Sequence, residues 1–113
     1  MEYFEPEKIE RTQLLNSVSN SESYVEVIEA ALSAIYYQET EFAGRILLIA
    51  LKRTHGPDRE YALNVIETFM VIHQTDLLGA EFLAEIGKTD LAAPHKKELE
   101  DSVREYMRMY AQK

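Results

Sequence analysis

The chain contains no cysteine and no tryptophan, and only four glycines and three prolines among 113 residues. Without cysteine there is no disulfide scaffold, no thiol nucleophile and no thiolate zinc site. The glycines, at 44, 56, 79 and 87, form no Walker loop, no G-x-G-x-x-G turn and no G-x-S-x-G elbow. No apolar run approaches the roughly 18–20 residues that span a bilayer. The opening Met1-Glu2-Tyr3-Phe4-Glu5 lacks the basic segment and apolar stretch of a signal peptide, so the cytoplasm is the expected compartment and no membrane partner is expected. Positive charge is scarce as well. Twelve Lys+Arg face 20 Asp+Glu, for a net charge of −8. Such a surface repels phosphate backbones, which excludes nucleic acid as an expected partner. It suits solubility, or attraction to a basic protein.

What is present describes a folded helical domain. Apolar residues make up 46% of the chain and charged residues 28%, the balance of a globular protein. The length predicts a single domain, 1–113, large enough to bury a core without staples. Helical periodicity dominates and no segment alternates with period two. Pro6, between Glu5 and Glu7, predicts a helix N-terminus with a first helix over 6–16, followed by a polar loop from Asn16 to Ser23. Ser23 and Glu26 form a capping box opening a helix over 23–38, with Tyr24, Val27, Ile28, Ala31, Leu32 and Ile35 at helical spacing. Thr40 caps a third, apolar almost all round, which His55-Gly56-Pro57 stops. Asp58 caps a fourth, Thr75 or Asp76 a fifth closed by Gly87, and Pro94 opens a last helix striped by Leu99, Val103, Tyr106 and Tyr110.

These inferred starts are spaced 17, 18, 17 and 19 residues apart, so two helix pairs relate at an offset of 35. At that offset Val27, Ile28, Ala31 and Ile35 lie over Ala62, Leu63, Ile66 and Met70. Gly44 lies over Gly79, and Leu47, Leu48 and Leu51 lie over Phe82, Leu83 and Ile86. A period in the thirties with two helices per unit marks stacked α-hairpins. The expected fold is all-α: five to six helices as stacked antiparallel hairpins, a HEAT-like short α-solenoid or right-handed helical bundle. Its parts are an N-terminal helix and polar loop (1–22), a first helix pair (23–57), a second (58–93) and a C-terminal helix (94–113).

Chemistry-bearing patterns are few. Three residues before His55, His73 and His95 stand Lys52, Met70 and Ala92, so the E-x-x-H of di-iron bundles is missing, and so is H-E-x-x-H. His73 falls in a last helical turn, where a cation complements the dipole. Carboxylate pairs such as Glu81 and Glu85 carry no mark of a pocket that separates two pKa values. No catalytic residue, metal site or cofactor is expected.

Charge is distributed unevenly. Residues 1–51 carry nine acids and three bases, residues 52–113 eleven and nine. Glu22, Glu26 and Glu29 form one ridge of the second helix, with no lysine or arginine between Arg11 and Arg45 to offset them. Tyr36, Tyr37, Glu39 and Glu41 follow at the helix end. Tyrosine brings large contact area at low entropic cost. Glu22, Glu26, Glu29, Tyr36, Tyr37, Glu39 and Glu41 therefore form the candidate surface for a basic protein partner. On the last helix, Glu100 and Arg104 sit at salt-bridge spacing, with Arg108, Lys96, Lys97 and Lys113 nearby. The Tyr106-Met107-Met109-Tyr110 edge either closes the stack or serves a homodimer. That makes a self-associating helical adaptor the alternative reading.

In size, acidity, lack of cysteine and helix pairing the chain resembles the small, acidic, all-helical immunity proteins encoded beside bacterial toxins, including those of contact-dependent growth inhibition systems. Ile35-Tyr36-Tyr37 echoes a tyrosine pair of the nuclease-colicin immunity proteins, although the flanking residues depart from theirs. The resemblance implies a non-catalytic protein that binds a cognate toxin domain, often a basic nuclease. The acidic strip would then lie over the toxin's substrate groove in place of phosphates.

Overall fold

The computed structural model describes residues 6–89 and 91–111. Expectations that touch Met1 to Glu5, Asp90 or Lys113 lie outside the described residues. Within them the protein is all-α, with six helices and no strand: α1 (Arg11–Asn20), α2 (Tyr24–Tyr37), α3 (Thr40–Arg53), α4 (Gly56–His73), α5 (Gly79–Gly87) and α6 (Ala93–Tyr110). No helix among the described residues is long and apolar enough to cross a membrane.

Packing follows the chain in two strides. Successive helices pack as α1 on α2, α2 on α3, α3 on α4 and α5 on α6. Second neighbours pack as α1 on α3, α2 on α4, α3 on α5 and α4 on α6. This sorts the odd helices into one layer and the even helices into another, the arrangement of a short helical stack. With extents of 33 × 32 × 27 Å the stack is too short to become elongated.

The 35-residue register survives as a pattern of burial. Val27 and Ala62, Ile28 and Leu63, Ala31 and Ile66, Ile35 and Met70, Gly44 and Gly79, Leu47 and Phe82, and Leu51 and Ile86 are all buried. Leu48 and Leu83 are both half-buried. The caps do not share that register. The helix pairs start at Tyr24 and Thr40 in one case and at Gly56 and Gly79 in the other.

Three boundaries depart from expectation, each for a reason of packing. Residues 6–10 are not helical, and α1 runs instead through Asn16, Ser17 and Ser19 to Asn20. Leu14 and Val18, one turn apart, are fully buried, and that burial outweighs the weak helix propensity of the polar run. Arg53 of α3 caps the helix end, its guanidinium donating to the carbonyls of Val18 and Ser21 at 2.8 Å each. Side chains of α2 and of Gln38, just past its end, hold residues 6–10 in place. Ser33 donates to the Glu7 carbonyl, Tyr37 Oη to Pro6 at 3.2 Å and Gln38 Nε2 to Ile9 at 3.4 Å.

The Gly56-Pro57 pair does not end a helix but forms the first turn of α4. Gly56, at φ +57°, makes the left-handed entry that a side chain would strain, and Pro57 loses no needed N–H there. α5 starts later than Thr75 or Asp76 would place it. Thr75 Oγ1 accepts the Leu77 N–H at 3.0 Å, and Leu78 adopts φ +64° before the helix begins at Gly79. The left-handed Leu78 lays its side chain against Gly44, where a Cβ would stand 2.7 Å from Leu78 Cδ1. Gly79 in turn lies under Met107 of α6, 2.6 Å from Cγ to where its Cβ would be. Both glycines are therefore sites of close helix approach.

Candidate functional site

The seven predicted contact residues fall into separate groups. Ser23 accepts the Glu26 N–H at 3.5 Å, which begins α2 where the capping box predicts. The Glu26 carboxylate does not complete the box; it accepts from Ser21 Oγ at 2.6 Å. Glu22 and Glu26 are exposed and Glu29 is half-buried, and none forms an ion pair among the described residues. At the other end of α2, some 20 Å away at about 1.5 Å per residue, the charges are matched. Glu39 pairs with Arg11 at 3.3 Å and Glu41 with Arg45 at 2.7 Å, both in solvent. Arg11 also lies 4.2 Å over the Phe42 ring. These five side chains line a small cleft of about 240 Å³ that is charge-balanced.

The ridge between the two groups is interrupted. Ser33 is fully buried and bonded to Glu7, so residues 6–10 cross the helix between Glu29 and Tyr37. The expected ridge is thus cut short: Glu26 and Glu29 lie in the first half of α2, Glu22 falls in the turn before its cap Ser23, and Glu39 and Glu41 are kept apart from them.

Tyr36 and Tyr37 are half exposed, at 50% and 48%, but differ in surroundings. Tyr37 is tied to Pro6. Tyr36 lines a groove of about 300 Å³ between α2 and α4, where it meets Tyr61, Leu32 and Val65. Tyr61 is 48% exposed. Glu29 lies one turn before Leu32, and Glu60 one turn before Asn64 of the same groove. Glu60 too has no ion-pair partner among the described residues. Sequence reasoning missed Tyr61. The signal was its i, i+3, i+7 row with Asn64 and Thr68, a ridge of uncharged polar side chains along α4.

His73 is more than a dipole partner. Ile35 offers only a carbonyl, so His73 Nε2 carries the proton and donates to it at 2.8 Å, leaving Nδ1 to accept from the Thr40 hydroxyl at 2.8 Å in the neutral ring. It therefore clamps the end of α2 to the start of α3. On α6, ion pairs join Lys97 to Asp101, Arg104 to Glu100 and Asp101, and Arg108 to Glu105. The hydrogen bond from Arg108, and then its charge, hold the Glu105 carboxyl below the usual range, and the same pair raises Arg108. Burial, then the charges of Glu67 and Tyr110, push the Tyr106 phenol up. Tyr106 stacks on Tyr110 at 6.1 Å, Met107 covers Gly79, and Met109 stays exposed at 53%. No group of three or more His, Asp or Glu able to hold a metal ion occurs among the described residues.

Comparison with protein-family models, with curated proteins and with solved structures gives no match.

Proposed function

We propose that the chain is a non-catalytic protein-binding module of the cytoplasm. In this reading it is an immunity protein that binds and inhibits a cognate basic, nuclease-type toxin domain, as in contact-dependent growth inhibition. The observation that carries this reading is the groove between α2 and α4. Two half-exposed tyrosines from different helices flank it, and Glu29 and Glu60, which form no ion pair among the described residues, lie on the same two helices. Aromatic anchors over a small apolar floor supply affinity, and surrounding like charge supplies attraction and orientation for a basic partner. The contact surface is therefore centred on Tyr36 and Tyr61, with Glu29 and Glu60 the nearer carboxylates and Glu22 and Glu26 toward the far end of α2. Tyr37 stands at the groove's edge, bonded to Pro6, which itself lines the groove, whereas Glu39 and Glu41 are peripheral because arginines of this chain match them.

The test is a titration of the purified chain against the protein encoded by the adjacent reading frame. Tight binding should weaken with salt, mostly through an association rate that falls at least roughly tenfold. Tyr36→Ala and Tyr61→Ala should each cost about 2 kcal/mol of affinity. Absence of binding, or an affinity flat with salt and indifferent to both tyrosines, rejects the proposal. Self-association through α6 is the alternative. Met107 and Tyr106 have internal partners and Met109 is exposed, so a stable dimer in sedimentation that is lost on Met109→Lys would favour it instead.

A further inference from the structure

A polar cleft of about 410 Å³ opens where the end of α3, the start of α4 and the end of α5 converge. It shares no lining residue with the Tyr36–Tyr61 groove. Lys52, Arg59 and Lys88 line it against one carboxylate, Glu85, with His55 beside them. In a chain of net charge −8, three cations against one anion make this a local reversal of sign.

The groups divide into a floor and a rim. Arg59 is the floor. Its guanidinium donates to the Leu51 carbonyl at 2.8 Å and to the Glu85 carbonyl at 3.1 Å, while its Nε is buried with no partner among the described residues. Glu85 is turned inward, its side chain 6% exposed, with one oxygen on Arg59 and the other on Lys88. The rim is open. The Lys52 and His55 side chains are exposed and form no hydrogen bond or ion pair among the described residues, although the His55 ring meets the Tyr24 ring edge-on at 6.0 Å. Lys88, 67% exposed, uses one of its three donors on Glu85. The 18-residue α4 begins at the same cleft with Gly56, and nothing stands within 4 Å of where its side chain would be.

We propose that this cleft binds a phosphate group, free or as a phosphomonoester, through Lys52, Lys88 and His55 above the part-buried Arg59. A planar carboxylate is best met by a free guanidinium fork, and both terminal nitrogens of Arg59 are already engaged. Separate ammonium groups, a ring nitrogen and a helix start are point donors spread around a volume. They suit tetrahedral oxygens and the charge of about −1.5 to −2 that a phosphate monoester carries at neutral pH. The negative charge of the rest of the chain keeps the ligand small, since it repels a polyanion extending beyond the cleft.

The full chain, labelled for amide resonances, is titrated with inorganic phosphate, and with sodium chloride at matched ionic strength. Saturable shifts at Gly56, Asp58, Arg59 and Lys88, absent with chloride, are expected, together with a higher unfolding temperature in phosphate. Lys52→Gln and Lys88→Gln change exposed side chains and leave the fold intact; each should weaken binding roughly three- to fivefold. Glycerol phosphate in a second arm separates the sources: tighter binding than phosphate identifies an ester, weaker binding the free ion. Shifts that match chloride overturn the proposal, as does saturation that persists unchanged in the double variant.

Discussion

At the 35-residue offset Ala50 of α3 corresponds to Glu85 of α5, and both are buried, at 0% and 4% exposure. One helix pair fills that position with a methyl group. The other fills it with a carboxylate held by Arg59 at 3.4 Å and Lys88 at 3.2 Å. The C-terminal ends of the first helix in each pair show a second such correspondence. Gln38 follows α2 and donates to the Ile9 carbonyl; His73 ends α4 and donates to the Ile35 carbonyl. In both, a side-chain N–H reaches back to a main-chain carbonyl earlier in the chain. The two pairs teach that the repeat transmits burial and backbone pinning, while the chemistry at a given buried position depends on what the neighbouring helix supplies.

The largest effect should come from exchanging the two solutions. Ala50→Glu puts a carboxylate at a fully buried site, at a cost of about 4 kcal/mol or more. The measurement is loss of the cooperative thermal transition. Glu85→Ala should cost about 3 kcal/mol by leaving Arg59 part-buried without its counter-charge, and Arg59→Met added to it should restore most of the loss in denaturant unfolding. If Ala50→Glu and Glu85→Ala prove equally mild, the pairs are not different in the way argued.

A smaller contrast separates the two back-reaching side chains. His73→Ala removes hydrogen bonds to both Ile35 and Thr40 and should cost about 1–2 kcal/mol; Gln38→Ala removes a single longer bond and should cost roughly half of that. Urea midpoints of the two variants decide it. Next come the register-matched glycines. Gly44→Ala must displace Leu78 and press on Phe69, which is fully buried, and should lower stability by about 1 kcal/mol after the helix-propensity gain is allowed for. At Gly79 the three nearest atoms all belong to Met107, whose flexible chain gives way more readily, so its alanine variant should unfold at the higher temperature of the two.

The smallest effect lies in α6, which closes the stack. The Tyr106 phenol is raised, so the folded state holds that proton more tightly than the unfolded chain. Its contribution is complete below the ordinary tyrosine value of about 10 and is lost as pH rises through the raised value. Tyr106→Phe should therefore flatten the alkaline decline of stability, read by chemical unfolding across that range.

Much of this was legible in the chain of residues. The cap of α2 and the apolar positions of both pairs are local signals, set by a side chain three residues from an amide or by a period of 3.6. The polar run at 16–23 misled, because two buried side chains, Leu14 and Val18, carry α1 through most of it. The start of α5 was unreadable, because Leu78 takes its left-handed conformation beside a glycine 34 positions earlier. The acidic strip was half legible. Spacing put Glu26 and Glu29 together on α2, but Glu22 falls before its cap, and residues 6–10 and two arginines separate Glu39 and Glu41 from them.

Composition and periodicity were enough to establish an acidic, cysteine-free, all-helical chain with a matched core register, because those properties depend on residue type and short-range spacing. The groove of Tyr36 and Tyr61 and the cleft of Lys52, Arg59 and Lys88 came from packing alone. Their members stand 25, 7 and 29 positions apart in the chain, and the turns between helices set where each lands. Solvent exposure and charge pairing are properties of that final arrangement, and no local pattern encodes them.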